Sequence, residues 1–258
     1  MFIDSHCHLN YKGLVEDQQG VLERARAAGV SAMLNISTRS SEWDEVVAVA
    51  EREPDVWASI GVHPHEADLH PDVATETLVE RARHPRVAGI GESGLDFYYD
   101  RSDRDRQRAS FRSHIAAARE AEVPIIVHTR EAEADTAQIL EEEMGKGRFT
   151  GVLHCFTGTL DLARKGMALG LYVSISGIVT FKNAKDLQET AKAIPLDRLL
   201  IETDAPFLAP VPHRGRTCEP AYVADTARFL AELRNEPLEM LAEATSTNFR
   251  SLFTKAAV

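Results

Sequence analysis

Short apolar runs alternate along this chain with stretches of helical periodicity, almost from one end to the other. Runs of four to six apolar residues bounded by turn signals read as buried parallel strands, and apolar residues three and four apart read as amphipathic helix. The runs predict strands at 2–8, 32–36, 56–60, 87–90, 124–127, 151–153, 172–175 and 199–201. Helices are predicted at 15–29, 40–51, 72–83, 104–121, 132–143, 160–169 and 184–193, with two more at 220–233 and 238–253. Gly29 stands where a helix hands over to the next strand, and Ser40 or Ser41 is the expected N-cap of the second helix. Phe111, Ile115 and Ala118 form a stripe that faces a core. Eight strand–helix units without a break in composition predict one α/β domain over 1–258, a (β/α)8 TIM barrel. A doubly wound sheet ranks second, because it would need a Gly-rich phosphate turn after an early strand, and Gly-x-Gly-x-x-Gly is read as absent.

A parallel barrel gathers the ends of its strands at one mouth, however far apart they lie in sequence. Five of the runs stop on metal-ligand residue types: Asp4-Ser5-His6-Cys7-His8, Gly89-Ile90-Gly91-Glu92, Ile126-Val127-His128, Val152-Leu153-His154 and Ile201-Glu202-Thr203-Asp204. Singly, each has an ordinary explanation: a capped histidine, a carboxylate at a strand boundary, an Asx turn before Pro206. Together, His6, His8, His128, His154, Glu92 and Asp204 on one barrel edge suit a pair of divalent cations. His6 and His8 are two apart, so both can point to the mouth while Cys7 between them points away. Glu92 has glycines on both sides, a sign of tight backbone passage, and its two oxygens can bridge two ions. Histidine with carboxylate suits zinc, manganese or nickel, and magnesium less readily.

Composition narrows the setting. The chain has 258 residues with 44% hydrophobic and 27% charged, an ordinary balance for a globular protein. No stretch approaches the roughly 20 apolar residues needed to span a bilayer, so no membrane partner is expected. Asp4 and His6 interrupt the apolar start where a secretory segment would continue, which points to the cytoplasm. Three cysteines, Cys7, Cys155 and Cys218, have no paired spacing and read as reduced thiols, with Cys7 and Cys155 as small buried hydrophobes. A net charge of −11 lacks the basic surface that grips long duplexes. Any nucleic acid is therefore expected to be held locally, at an end or a single-stranded stretch.

Several segments carry a resemblance. Asp4-Ser5-His6-Cys7-His8, Gly61-Val62-His63-Pro64-His65, Gly91-Glu92-Ser93-Gly94-Leu95-Asp96, His128-Thr129-Arg130, His154-Cys155-Phe156-Thr157-Gly158 and Glu202-Thr203-Asp204-Ala205-Pro206 resemble the TatD family of metal-dependent hydrolases. Tyr98-Tyr99, 176–182 and 210–215 fit its YcfH-like branch. The resemblance implies a TIM-barrel hydrolase with two divalent ions (Zn, Mn, Mg or Ni). It places one with His6, His8, Glu92 and Asp204, the other with Glu92, His128 and His154. The implied activity is 3′-to-5′ exodeoxyribonuclease or phosphodiesterase action on single-stranded or terminal DNA. The alternative is hydrolysis of an ester or amide, such as D-aminoacyl-tRNA deacylation. Cys218 stands where Asn-Glu-Pro is common, which weakens transfer of substrate contacts from that loop.

The expected roles follow from position. Two cations about 3.5–4 Å apart can share a water, lower its pKa and clamp an in-line displacement. Asp204 is expected to orient that water and take its proton, with Glu92 mainly a bridge. His63 either hydrogen-bonds a phosphoryl oxygen or is a structural turn histidine, and for His65 the turn reading leads. Arg214 and Arg216, after the eighth strand, either bind phosphate or form a solvated surface. Arg130 is expected to support the site or pair with a neighbouring carboxylate. Lys182 reads as a surface charge, His70, His84 and His114 as structural or exposed, and the chain as a monomer.

Overall fold

The computed structural model describes residues 1–71 and 73–256. Its strands are β1 (Phe2–Cys7), β2 (Val30–Asn35), β3 (Val56–Ile60), β4 (Val87–Asp96), β5 (Ile125–Arg130), β6 (Gly151–Leu153), β7 (Tyr172–Ile175) and β8 (Leu199–Ile201). They form one eight-stranded sheet in chain order, every neighbouring pair parallel. The seam closes where Cys7 bridges Ala205 in parallel. There the Asp204 amide donates to His6 O at 2.9 Å and the His8 amide to Ala205 O at 2.8 Å. Asp4 reinforces the seam, accepting from the Thr203 amide at 2.9 Å and from its hydroxyl at 2.5 Å. Burial pushes the Asp4 carboxyl up to about 8 although both bonds favour the ion. The expected (β/α)8 barrel is what forms.

Helices α1 (Gln18–Ala27), α2 (Trp43–Arg52), α3 (Thr75–Ala82), α4 (Arg104–Glu120), α5 (Glu133–Lys146), α6 (Leu160–Ala168), α7 (Lys185–Ala193) and α8 (Val223–Arg234) follow the strands, and α9 (Leu238–Leu252) comes last. None among the described residues is long and apolar enough to cross a membrane. Phe111, Ile115 and Ala118 of α4 are buried against the strands, as their spacing predicted. Alternate strand residues (Ile3, Leu34, Trp57, Ala88, Ile126, Val152, Leu200) make a separate inner cluster with Phe249, Leu252 and Phe253. The α9 segment thus fills the barrel end opposite the mouth.

Three expectations need correction. The fourth strand does not stop at Ile90 but runs to Asp96, because Ser93, Gly94, Leu95 and Asp96 keep pairing with Val127 through Arg130 of β5. Gly89, Gly91 and Gly94 carry a Gly-x-Gly-x-x-Gly spacing, yet they lie inside this strand and open no phosphate turn. Gly94 serves close approach instead: φ is +149° and an added Cβ would sit 2.0 Å from His128 O. Neither Ser40 nor Ser41 caps α2, which follows a 3-10 turn at Ser40–Glu42 without a side-chain cap. The Ser40 hydroxyl lies 2.9 Å from His70 Nδ1. The expected start of the third helix, Asp72, lies outside the described residues.

Candidate metal centre

A register irregularity between Asp4 and Cys7 shapes the first strand. Ser5 turns into the barrel, where its hydroxyl lies 3.0 Å from that of Ser174. His6 and His8 reach the mouth, and Cys7 packs into the outer core as expected. His6 Nε2 and His8 Nε2 are 3.3 Å apart, and Asp204 Oδ1 lies 3.5 and 3.4 Å from them. Asp204 and Cys155 both take left-handed backbone, φ 57° and 41°.

Glu92 lies at the centre of the cluster. Its Oε2 is 3.4 Å from His6 Nε2 and 3.9 Å from His8 Nε2. Its Oε1 is 2.8 Å from His128 Nδ1, 2.7 Å from His154 Nε2 and 3.3 Å from His63 Nε2. One carboxylate therefore divides its oxygens between two sets of ring nitrogens. Within the second set, His128 Nδ1 and His154 Nε2 are 3.3 Å apart, the same spacing as His6 to His8. Zinc–nitrogen bonds of 2.0–2.1 Å at a tetrahedral angle would set two ligand nitrogens about 3.3 Å apart.

The far side of each ring fixes which nitrogen is bare. His8 Nδ1 donates to Ile36 O at 3.2 Å, His154 Nδ1 to Glu202 Oε1 at 3.3 Å, and His128 Nε2 to Asp96 Oδ2 at 3.3 Å. In the neutral ring a nitrogen that donates outward leaves its partner with a lone pair aimed at the cluster, the form that takes an ion. Without an ion, contacts with Asp204, Asp96, Glu92 and Glu202 outweigh burial and push His8, His128 and His154 up toward the protonated form. His6 Nδ1 is buried without a partner, as is Glu202 Oε2. His6, His154 and Glu202 lie close enough together to form another donor group. The His6 and His154 rings are stacked, though, at 3.9 Å and 8°, so their lone pairs run side by side instead of converging.

Charge points the same way. The ion-pair partners of Glu92, Asp96, Glu202 and Asp204 are imidazoles; among the described residues no lysine or arginine pairs with any of them. Burial alone would raise Glu92, but the imidazoles of His154, His63 and His128 around it hold it well below the carboxylate range. Burial works against Asp204 too, and its contacts with His8 and His6 outweigh it, keeping it low. Asp96 stays ionised for the same reason, its bonds from His128 and His65 overriding burial. Burial lowers His63 to about 4, so the ring is neutral. The His65 amide donates to His63 Nδ1 at 3.0 Å, which leaves the proton on Nε2, facing Glu92. Concentrated anionic charge with bare imidazole nitrogens is a cation's environment.

The structure brings together His6, His8, His63, Glu92, His128, His154 and Asp204. His65 lies beside them, bonded to Asp96 Oδ2 at 2.8 Å. Arg130, expected to support the site or pair with a neighbouring carboxylate, meets no carboxylate among the described residues and stacks over Tyr98 and Tyr99 at 4.1 and 4.8 Å. Arg214 stacks over Phe181 at 3.7 Å, and Arg216 is exposed on the same loop. Lys182 is exposed, while His114 is buried between Val62 and Ser110. Cys155 is only half-buried; its thiol donates to the Ser176 hydroxyl at 3.3 Å, and burial pushes its pKa well up, away from a thiolate ligand. Sequence reasoning missed Asp96 and Glu202, the two acids behind the histidines. The available signal was spacing: Asp96 is four residues past Glu92 on one strand, and Glu202 precedes Asp204 by two.

Residues 3–254 match the family of TatD-related DNases. The chain belongs to that family. YcfH of Escherichia coli K12, described as a metal-dependent hydrolase, is 44% identical over 254 residues, covering 97% of this chain and 95% of its own. The 3′-5′ ssDNA/RNA exonuclease TatD of Erwinia tasmaniensis is 37% identical over 256 residues, covering 97% and 98%. Among solved structures, the TatD homologue YjjV of Escherichia coli K12 superposes with a TM-score of 0.92 at 31% identity, over 98% of each chain. This TatD-family protein is accordingly a metal-dependent hydrolase.

Proposed function

We propose that the protein is a two-metal phosphodiesterase that removes nucleotides from the 3′ end of single-stranded DNA. One observation carries the reading: Glu92 turns its two oxygens toward two separate nitrogen sets at one barrel mouth. His6, His8, Asp204 and Glu92 Oε2 would hold one divalent ion, and His128, His154 and Glu92 Oε1 the other. Such ions, when bound, supply Lewis acidity and a lowered water pKa. Asp204 takes the role of proton acceptor. At 15% its side chain is the most open of the four acids, against 4% for Glu92, 1% for Asp96 and 0% for Glu202. His63, neutral with its proton on Nε2, donates to a phosphoryl oxygen. The substrate follows from the similarity to the exonuclease of Erwinia tasmaniensis together with an acidic chain that lacks a duplex-binding surface.

The test is 3′-end trimming of a single-stranded oligonucleotide with manganese or magnesium, run beside Glu92→Ala and a chelated sample. Trimming by wild type alone is expected. Equal rates in all three, or turnover of an acyl ester with none of the oligonucleotide, would overturn the reading.

A further inference from the structure

Beyond β4 the chain leaves two adjacent aromatic rings half in water, Tyr98 at 52% and Tyr99 at 48% exposure. They meet edge to face at 4.9 Å. The Arg130 guanidinium lies over both, and that of Arg101 lies 5.3 Å from the Tyr99 ring. Nearby acids are taken up elsewhere: Asp100 binds Arg104 at 2.9 Å, and Asp105 binds Arg108 at 2.7 Å. Among the described residues Arg101 and Arg130 pair with no carboxylate, so their N–H groups remain open to an anion. Folding alone does not account for this arrangement, since neither ring is sequestered and neither cation is neutralised.

The shelf is fixed relative to the cluster. The Tyr98 and Tyr99 amides donate to Asp96 Oδ1 at 3.1 and 2.9 Å, and Asp96 Oδ2 holds His65 and His128. A run of ring contacts also crosses the gap: Tyr99 to His65 at 5.3 Å, His65 to His63 at 4.3 Å, His63 to His128 at 4.5 Å. Exposed aromatic faces with unpaired arginines are how proteins hold unpaired bases and their phosphates, whatever the sequence.

We propose that Tyr98, Tyr99 and Arg130 form a stacking subsite that takes a base of single-stranded nucleic acid while an adjoining phosphodiester lies at the histidine–carboxylate cluster. The proposal rests on the exonuclease reading and deepens it, giving an acidic protein a hold on a strand end through bases more than through phosphates.

The experiment compares dT8 with the same octamer carrying abasic residues at its last two positions. Fluorescence anisotropy reads binding to chelated protein at low salt, and kcat/KM reads manganese-supported trimming. Wild type should prefer dT8 about tenfold or more in both assays, the order expected for a stacked base. Tyr98→Ala/Tyr99→Ala should lose that preference while binding the abasic octamer as wild type does, and Arg130→Lys, charged but not planar, should lose part of it. A double variant that keeps the preference, or chelated wild type that binds neither octamer up to millimolar protein, would overturn the subsite. If wild type still trims dT8 in that case, the exonuclease reading stands without it. If wild type trims neither octamer, both fall.

Discussion

Replacing Asp96 by Asn changes one oxygen to an NH2 group and tests how the cluster is organised. Asp96 is 1% exposed and accepts four bonds: Oδ1 from the Tyr98 and Tyr99 amides, Oδ2 from His65 Nε2 at 2.8 Å and His128 Nε2 at 3.3 Å. An Asn must keep its single oxygen on the two backbone amides, because an NH2 group there would face two N–H donors. Its NH2 then meets His128 Nε2, which must become the acceptor. The imidazole proton moves to Nδ1, the nitrogen 2.8 Å from Glu92 Oε1, and no lone pair is left for an ion. Loss of such an outer partner costs 10–100-fold in metal affinity, about 1.4–2.7 kcal/mol. Asp96→Ala leaves room for a water that can still accept from Nε2, so the near-isosteric Asn should weaken binding at least as much as Ala. Zinc competition against a chromophoric chelator measures affinity without substrate, and imidazole 15N shifts of the metal-free protein report the tautomer. Wild-type zinc affinity in Asp96→Asn, with His128 still protonated on Nε2, would refute the reasoning.

Two further outcomes are expected. His114 is buried, its Nε2 accepting from the Val62 amide at 3.0 Å and its Nδ1 donating to Ser110 O at 2.7 Å, and burial lowers its pKa to about 4. Between pH 4 and 6.5 the unfolded chain binds a proton there that the folded protein does not, so stability falls by up to roughly 3 kcal/mol as pH drops through that window; His114→Gln should flatten that slope in urea titrations, and an unchanged slope counts against it. Phe249→Ala at the closed end of the barrel, 1% exposed, should cost about 3–5 kcal/mol in chemical denaturation, and a loss below 1 kcal/mol would mean that α9 does not fill the barrel.

The barrel was legible because each strand is a short apolar run flanked by punctuation; β3, β6, β7 and β8 fall on the expected residues. The continuation of β4 was not, since Gly91-Glu92-Ser93-Gly94 has no apolar pattern and owes its extended form to backbone pairing with β5. The histidines and acids that meet at the mouth could be read from strand ends, because topology alone gathers them. What holds them was harder to read: spacing could have flagged Asp96 and Glu202, but the hydrogen bonds that they and the Ile36 carbonyl make run between distant segments and leave no periodic trace. Arg130 shows the same limit. A neighbouring carboxylate was one of the partners expected for it, whereas in the folded protein two aromatic faces lie across from it.

The seam that closes the barrel joins residues 4–8 to 201–205, and the first and last members of the cluster lie on either side of it. A polypeptide halted before its eighth strand holds His6 and His8 but lacks Asp204 and the seam that sets it beside them. Assembly of the complete centre is thereby postponed until nearly the whole length of the polypeptide is available.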